Sequence, residues 1–426
     1  MNGDGEAGDG EAGDAALSFD AALHDVLPRV LAAVTKRCGD FAAAEDAVQD
    51  ALLAAVAAWP RDGVPTNPAG WLFTVALRRL ADANDAEQAR RRREEHLAQG
   101  RGEPFVVEPG TDEQLAEVGD ETLALLFACC HPALAPSSSI PLMLRALCGL
   151  STAAIARALL VPEATLAQRI VRAKQTIAGS GVPLLLPPAD ERERRFGAVL
   201  QTIYLLGNEG HLGGDGDEAM RLGCADEAIR LARLCVQLVP GHAEAEGLLA
   251  LLLLTESRRA ARQGPAGELI PLDEQDRTRW DRAQIAEGTA LVTRAFARGR
   301  VGSYQLQAAI AALHAEAPDV ERTDWPQIEA LYTVLARLQP GPVVALNRAV
   351  AVAMVHGAQA GLAEVERLAA DPQLAAGHRL LAVRGHLLQR AGERAAARAA
   401  FERAAEKAVD PAERAFLRER AARLGG

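Results

Sequence analysis

The stretch from Cys148 to Ile177, CGLSTAAIARALLVPEATLAQRIVRAKQTI, constrains the fold more than any other part of the chain. It reads as two short helices separated by a break at Val161-Pro162. Ser151 or Thr152 can cap the first helix, because a hydroxyl there accepts a hydrogen bond from an otherwise orphan backbone N–H. Ile155 and Leu159 are four apart and share a face. Proline suits the start of the second helix, where its fixed φ is already helical. In that second helix Leu166, Ile170, Ala173 and Ile177 recur at helical spacing and form a stripe for burial. Thr165, Gln168, Arg169 and Arg172 point the other way. Hydroxyl, amide and guanidinium groups are the ones that reach phosphates and base edges. The pattern is that of a helix-turn-helix whose second helix suits a DNA major groove. It also fits an ordinary helical hairpin with a solvated basic face.

The rest of the chain reads as helical too. Aromatic residues are scarce and alanine, leucine and arginine abundant, which favours an all-α protein. A length of 426 residues allows two or three domains with sizeable cores. Only Lys36, Lys174 and Lys407 are lysines, so nearly every base is arginine. That reads as the coding bias of a high-GC, bacterial genome.

A net charge of −11 argues against nucleic-acid binding until its distribution is considered. Residues 1–18 carry five acids and no base, and residues 94–121 carry nine acids and one arginine. By contrast, 78–93 and 140–180 are net basic, at +3 and +4. Local basic faces set the attraction for phosphate.

The six cysteines form no CxxC pair and fit no zinc spacing, so they read as small buried residues of a reduced cytoplasm. Cys129-Cys130-His131 offers a poor ligand set, and no metal or cofactor is expected. No signal peptide is legible at the N-terminus, and the apolar run Leu248–Leu254 is too short to span a bilayer, so no membrane partner is expected. No catalytic constellation appears: the histidines are scattered and no serine or cysteine has a nucleophile context. Gly213–Gly216 lacks the lysine of a phosphate loop.

The organisation expected along the chain is a disordered tail at 1–18, a helical module at 19–93, an acidic linker at 94–120, a second module at 121–180 and a helical array at 190–426. The array is weakly periodic. Ala228, Ala232, Cys235 and Pro240 have the same spacings as Ile328, Tyr332, Leu335 and Pro340, and the two prolines are 100 residues apart, close to three repeats of about 34 residues. Gly385, Leu388, Gly392, Ala397, Phe401 and Ala404 form a third copy, whereas 256–300 loses the register. A generic alanine-rich bundle is the alternative to such a tetratricopeptide-like array.

Within the first module, FAAAEDAVQDALLAAV (41–56) places Val48, Leu52 and Val56 on one helical face. Glu45, Asp46, Gln49 and Asp50 fall opposite, as an exposed stripe suited to a basic protein partner. After a loop at 61–70 containing Asn67-Pro68, a helix near Trp71 carries Arg78 and Arg79. An aromatic beside bases suits single-stranded DNA, though Trp71 fits a core position equally well.

AEDAVQDALLAA followed by NPAGWLFTVALRRLAD resembles region two of bacterial extracytoplasmic-function sigma factors, and STAAIARALLVPEATLAQRIVRAK resembles their region four. RFGAVLQTIYLLGNEGH (195–211) and LIPLDEQDRTRWD (269–281), with the repeats, resemble the C-terminal extension of one sigma subgroup. The resemblance implies two small helical sigma domains plus a tetratricopeptide-like domain, with core RNA polymerase and promoter DNA as partners. It places Glu45, Asp46, Gln49 and Asp50 against polymerase. Asn67 would sit in the loop that captures a minus-ten base, and Trp71, Arg78 and Arg79 beside the melted strand. Arg90–Arg93 would hold upstream phosphates. Thr165, Gln168, Arg169, Arg172 and Lys174 would read or clamp the minus-thirty-five element. The extension would regulate activity, with a further regulatory protein as a partner for the repeats. A repeat-based interaction scaffold and a conventional helix-turn-helix regulator are the rival readings, and neither has a use for the ordered pair of motifs.

Overall fold

The computed structural model describes residues 26–94, 119–159, 161–180, 186–209, 218–265, 267–372, 374 and 377–425. The tail at 1–18, nearly all of the acidic linker, and Gly213–Gly216 lie outside these residues. The described chain is helical, and its two compact units meet in sequence between Ile203 and Tyr204. Among the described residues no strand forms; one isolated bridge pairs Gln263 with Leu269.

The first unit opens with α1 (residues 26–38), α2 (Phe41–Asp62) and α3 (Pro68–Glu94). Asp40 caps α2 by accepting from the amides of Ala42 and Ala43 at 2.8 and 3.2 Å. Asn67 does the same for α3, its Oδ1 taking the Gly70 amide at 2.7 Å, and Pro68 follows as the first helical residue. Helices α2 and α3 pack along each other, with Ala44, Val48, Ala51, Ala55, Leu72 and Ala76 buried. Val56 departs from expectation. It is 55% exposed and Leu53 67%, because the buried stripe of α2 runs through Ala51, Ala55 and Trp59 instead.

Then come α4 (Gly119–Cys129), α5 (Pro136–Cys148), α6 (Thr152–Ala158), α7 (Glu163–Gly179) and the first part of α8 (Ala189–Glu209). Helices α5, α6 and α7 pack on one another. Gly149 ends α5 with φ +68, and an added Cβ would lie 2.7 Å from Leu27 Cδ2, so both conformation and space require glycine there. Cys129 and Cys130 are buried, and burial pushes the Cys130 thiol up to about 12, which makes both packing residues rather than reactive thiols.

The second unit runs through α9 (Glu218–Leu238), α10 (Ala243–Glu256), α11 (Arg282–Ala297), α12 (Ser303–Glu316), α13 (Trp325–Leu338) and α14 (Pro342–His356). It finishes with α15 (Ala358–Leu368), α16 (Arg379–Arg390), α17 (Arg394–Lys407) and α18 (Pro411–Arg423). Each helix packs on the next, as in an array of helical hairpins. The repeat positions Ala228, Ala232, Cys235, Ile328, Leu335, Ala397, Phe401 and Ala404 are buried, and Tyr332 is half-buried. The lost register corresponds to an excursion over 257–281 between α10 and α11, made of two short 3-10 turns and anchored by the buried Trp280. Asp276 and Asp281 in that stretch act as capping residues.

Candidate polymerase and nucleic-acid interface

The helix-turn-helix forms as its spacing predicts. Ser151 Oγ accepts the Ala154 amide at 3.1 Å and starts α6. Leu166, Ile170, Ala173 and Ile177 are buried along α7. Thr165, Gln168 and Arg172 are exposed on its other side, and Arg169 is half-buried. None of these four side chains is held in an ion pair among the described residues, so hydroxyl, amide and guanidinium groups are available to a duplex.

Lys174 behaves differently. It lies on the buried side of α7, at 8% exposure, and pairs with Glu45 of α2. It also donates to Asp46 Oδ1 at 2.7 Å. Glu45 in turn faces Arg145 of α5, whose Nε lies 2.8 Å from Glu45 Oε1. Gln49 Nε2 donates to the Arg145 carbonyl at 3.0 Å, and Arg145 Nη1 donates to Thr152 Oγ1 at 2.8 Å. One carboxylate with no solvent exposure thus ties the first helical module to the helix-turn-helix through two cations.

The exposed stripe expected on α2 is therefore split. Glu45 is fully buried and Gln49 half-buried; Asp46 and Asp50 remain exposed. The reason is long-range: a buried carboxylate requires paired cations, and those arrive from α5 and α7. Lys174 is likewise not free to clamp DNA in this arrangement. The accessible surface of α2 is instead Asp46, Asp50, Leu53 and Val56, acidic at one end and apolar at the other. Arg145, Leu53 and Val56 are the positions that sequence reasoning missed. Arg145 had a signal: it is the lone charge in PSSSIPLMLRALC, and a guanidinium inside so apolar a helix needs a carboxylate.

On α3, Trp71 is half-buried and meets Trp59 edge-on, with ring centroids 5.4 Å apart at 69°. Asn67 serves as the cap of α3 described above, so its side chain is engaged in shaping the loop. Arg78 and Arg79 are exposed on the outer face. The side chains of Arg90–Arg93 lie outside the described residues.

Known proteins divide the chain in the same order. Residues 23–93 match sigma-70 region 2, residues 124–177 match sigma-70 region 4, and residues 195–296 match a family of unknown function (DUF6596). An uncharacterized protein of Rhizobium meliloti (strain 1021) is 41% identical over 408 residues, covering 94% of each chain. Among solved structures, a thermophilic tetratricopeptide-repeat protein of Thermus thermophilus aligns at 18% identity and a TM-score of 0.35, covering 53% of this chain and 98% of its own. The tetratricopeptide-repeat domain of P58(IPK) aligns at 11% identity and a TM-score of 0.24, covering 88% and 98%. A helical region 2 and a helix-turn-helix region 4, in that order, define a transcription-initiation subunit. The chain belongs to the sigma-70 family, as a sigma factor of the extracytoplasmic-function type with a C-terminal helical extension.

Proposed function

We propose that this chain binds core RNA polymerase in the cytoplasm and directs it to promoters, under control of its helical extension (190–426). The observation that carries the reading is the ordered pair of sigma modules, with a free polar face on α7 and a mixed acidic and apolar face on α2. On α2, Asp46, Asp50, Leu53 and Val56 supply charge complementarity and apolar area to polymerase. Glu45 and Gln49 join that surface only when the two modules separate. Arg78 and Arg79 follow the opened strand by phosphate attraction, with Trp71 beside them as a stacking surface. Asn67 shapes the loop that would receive a flipped base. Thr165, Gln168, Arg169 and Arg172 address the upstream duplex, the first three through base edges and Arg172 through phosphate. The chain performs no covalent chemistry in this role. Unstacking a base costs a few kcal/mol, and capture of that base offsets part of it.

The Glu45 network supports a closed resting state in which the two DNA-binding modules hold each other. The extension then acts on the balance between closed and open forms, alone or with a regulatory protein on its repeats. Among the described residues no helix is long and apolar enough to cross a membrane.

In vitro transcription tests the reading. Full-length chain is added to core polymerase lacking sigma, with the promoter upstream of its own gene as template. Specific initiation is expected, with loss on Asp50→Arg and on Arg169→Ala. Absence of any binding to core would overturn it in favour of a repeat scaffold.

A further inference from the structure

The second unit contains a cavity of about 300 Å³, within the range of small-molecule sites. It is framed by the 257–281 excursion, the end of α12, and helices α13, α14 and α16. Its apolar wall is Leu272, Val320, Val350 and Met354, and two ring systems, Trp325 and Tyr332, line it beside them. Both rings are fixed before any ligand arrives. Trp325 Nε1 donates to the Val320 carbonyl at 3.4 Å, and the His314 ring meets it edge-on with centroids 5.1 Å apart. The Tyr332 phenol is hydrogen-bonded to Asn347. A preformed site binds without the cost of ordering its walls.

The polar part of the lining is cationic. Arg277 Nη1 donates to the carbonyls of His314, at 2.6 Å, and Ala317, and the guanidinium lies 4.7 Å over Trp280. That fixes the group while its Nε and Nη2 have no protein acceptor among the described residues. Arg390, at the mouth, has none either. Arg258 adds a third guanidinium nearby, pulled down to about 10 by burial first and then by the neighbouring Arg262. His314 is pulled down to about 4, by burial first and then by Arg258 and Arg277, and burial lowers His386 as well. Both imidazoles are therefore neutral at pH 7. The carboxylate in the lining is Asp273; Asp319 and Glu321 act on Arg277 without pairing with it. Among the lining residues themselves, Arg277 and Arg390 against Asp273 leave one positive charge for a ligand to meet; Arg258 stands outside the lining and faces Glu256.

We propose that this cavity binds a small aromatic monocarboxylate, its ring system against Trp325, Tyr332 and the apolar wall and its carboxylate towards Arg277 and Arg390. The single excess charge selects a monoanion over a phosphate dianion, and guanidinium N–H groups suit a carboxylate. The proposal deepens the regulatory reading of the extension, since such a ligand is a signal that the extension can sense. Binding is measured without polymerase, so its failure is distinguishable from failure of the sigma reading.

The test is isothermal titration of the full chain with 2-naphthoate, with 2-naphthalenemethanol and 2-naphthyl phosphate as comparators. One molecule of 2-naphthoate per chain is expected, about tenfold or more tighter than the alcohol, because the alcohol leaves the guanidinium groups unmatched. Val350→Trp fills the cavity and abolishes binding. Arg390→Gln, at an exposed position, weakens it about fivefold or more, in keeping with loss of one charged hydrogen bond, without moving the melting temperature. No heat with 2-naphthoate at millimolar concentration, equal affinity for the alcohol, tighter binding of the phosphate, or binding undisturbed by Val350→Trp would each overturn the proposal.

Discussion

His314 shows how one residue couples the fold of the second unit to pH. Its folded-state pKa is held near 4 by burial and by Arg258 and Arg277, whereas the unfolded chain protonates it near 6.5. Between those values the unfolded state binds more protons, so stability falls as the pH drops from about 6.5 to 4. The full span is worth about 3 kcal/mol at 1.36 kcal/mol per pKa unit. His314→Gln cannot take up the proton, so its unfolding midpoint in urea should fall less between pH 7 and pH 4.5 than the parent's. Some acid sensitivity should remain, because burial also lowers His386. An identical pH slope in both chains would show that other groups set the acid response. Neither this site nor the Glu45 network was legible in the sequence, for the same reason. Glu45 reads locally as one of four polar positions on the solvent side of a helix. What buries it is Arg145 and Lys174, about a hundred or more positions further along, and helical periodicity carries no information about partners at that distance. The apolar stripe of α7, Leu166, Ile170, Ala173 and Ile177, depends only on spacing within α7 and was legible, whereas the burial of Lys174 beside it was not.

At the scale of elements, small residues set how closely helices approach. Gly385 of α16 faces Phe401 of α17, and a Cβ there would stand 2.9 Å from the ring. Gly385→Val must drive the two helices apart or force Phe401 off its rotamer, at a cost of about 1–3 kcal/mol. Thermal unfolding should show a lower midpoint for the second unit. The third periodic copy includes this glycine, and the close contact with Phe401 is the physical reason for a residue without a side chain there. The excursion over 257–281 had no such signature. It keeps no repeat spacing, and its polar run gave no hint that Arg277 and Trp280 would stack and close one side of a cavity. Helix α7 presents the complementary case, an element whose exposed side chains Thr165, Gln168 and Arg172 make no ion pair among the described residues. Arg172→Ala should leave stability within about 0.5 kcal/mol, as for an exposed residue without partners. It should weaken binding to a promoter duplex by about 1–2 kcal/mol and reduce the salt dependence of binding. Fluorescence anisotropy over a range of salt concentrations reads both. Unchanged affinity would remove Arg172 from the interface.

At the scale of the whole molecule, the question is what keeps a chain with two nucleic-acid modules from acting before it should. On the reading proposed above, the buried Glu45 supplies a mechanism in which the same residues serve two exclusive purposes. While Lys174 and Arg145 neutralise it, α2 and α7 are held together and part of the surface proposed for polymerase is covered. Separation exposes three charges to water, where solvation replaces much of what the ion pairs contributed, so the opening free energy can be modest even though breaking one partner alone is costly. Lys174→Glu separates these effects. It sets a third carboxylate beside Glu45 and Asp46 in place of the shared cation, so α2 and α7 should part. Amide exchange should quicken in α5 and α7, and affinity for core polymerase should rise, while promoter recognition by the assembled holoenzyme falls because α7 has gained a negative charge. Lys174→Met removes the cation without adding repulsion and leaves Glu45 with Arg145, so it should give a smaller change of the same sign in core affinity. If core affinity instead falls with Lys174→Glu while exchange in α5 and α7 quickens, the contact between the modules is part of the polymerase-binding form and not a restraint upon it.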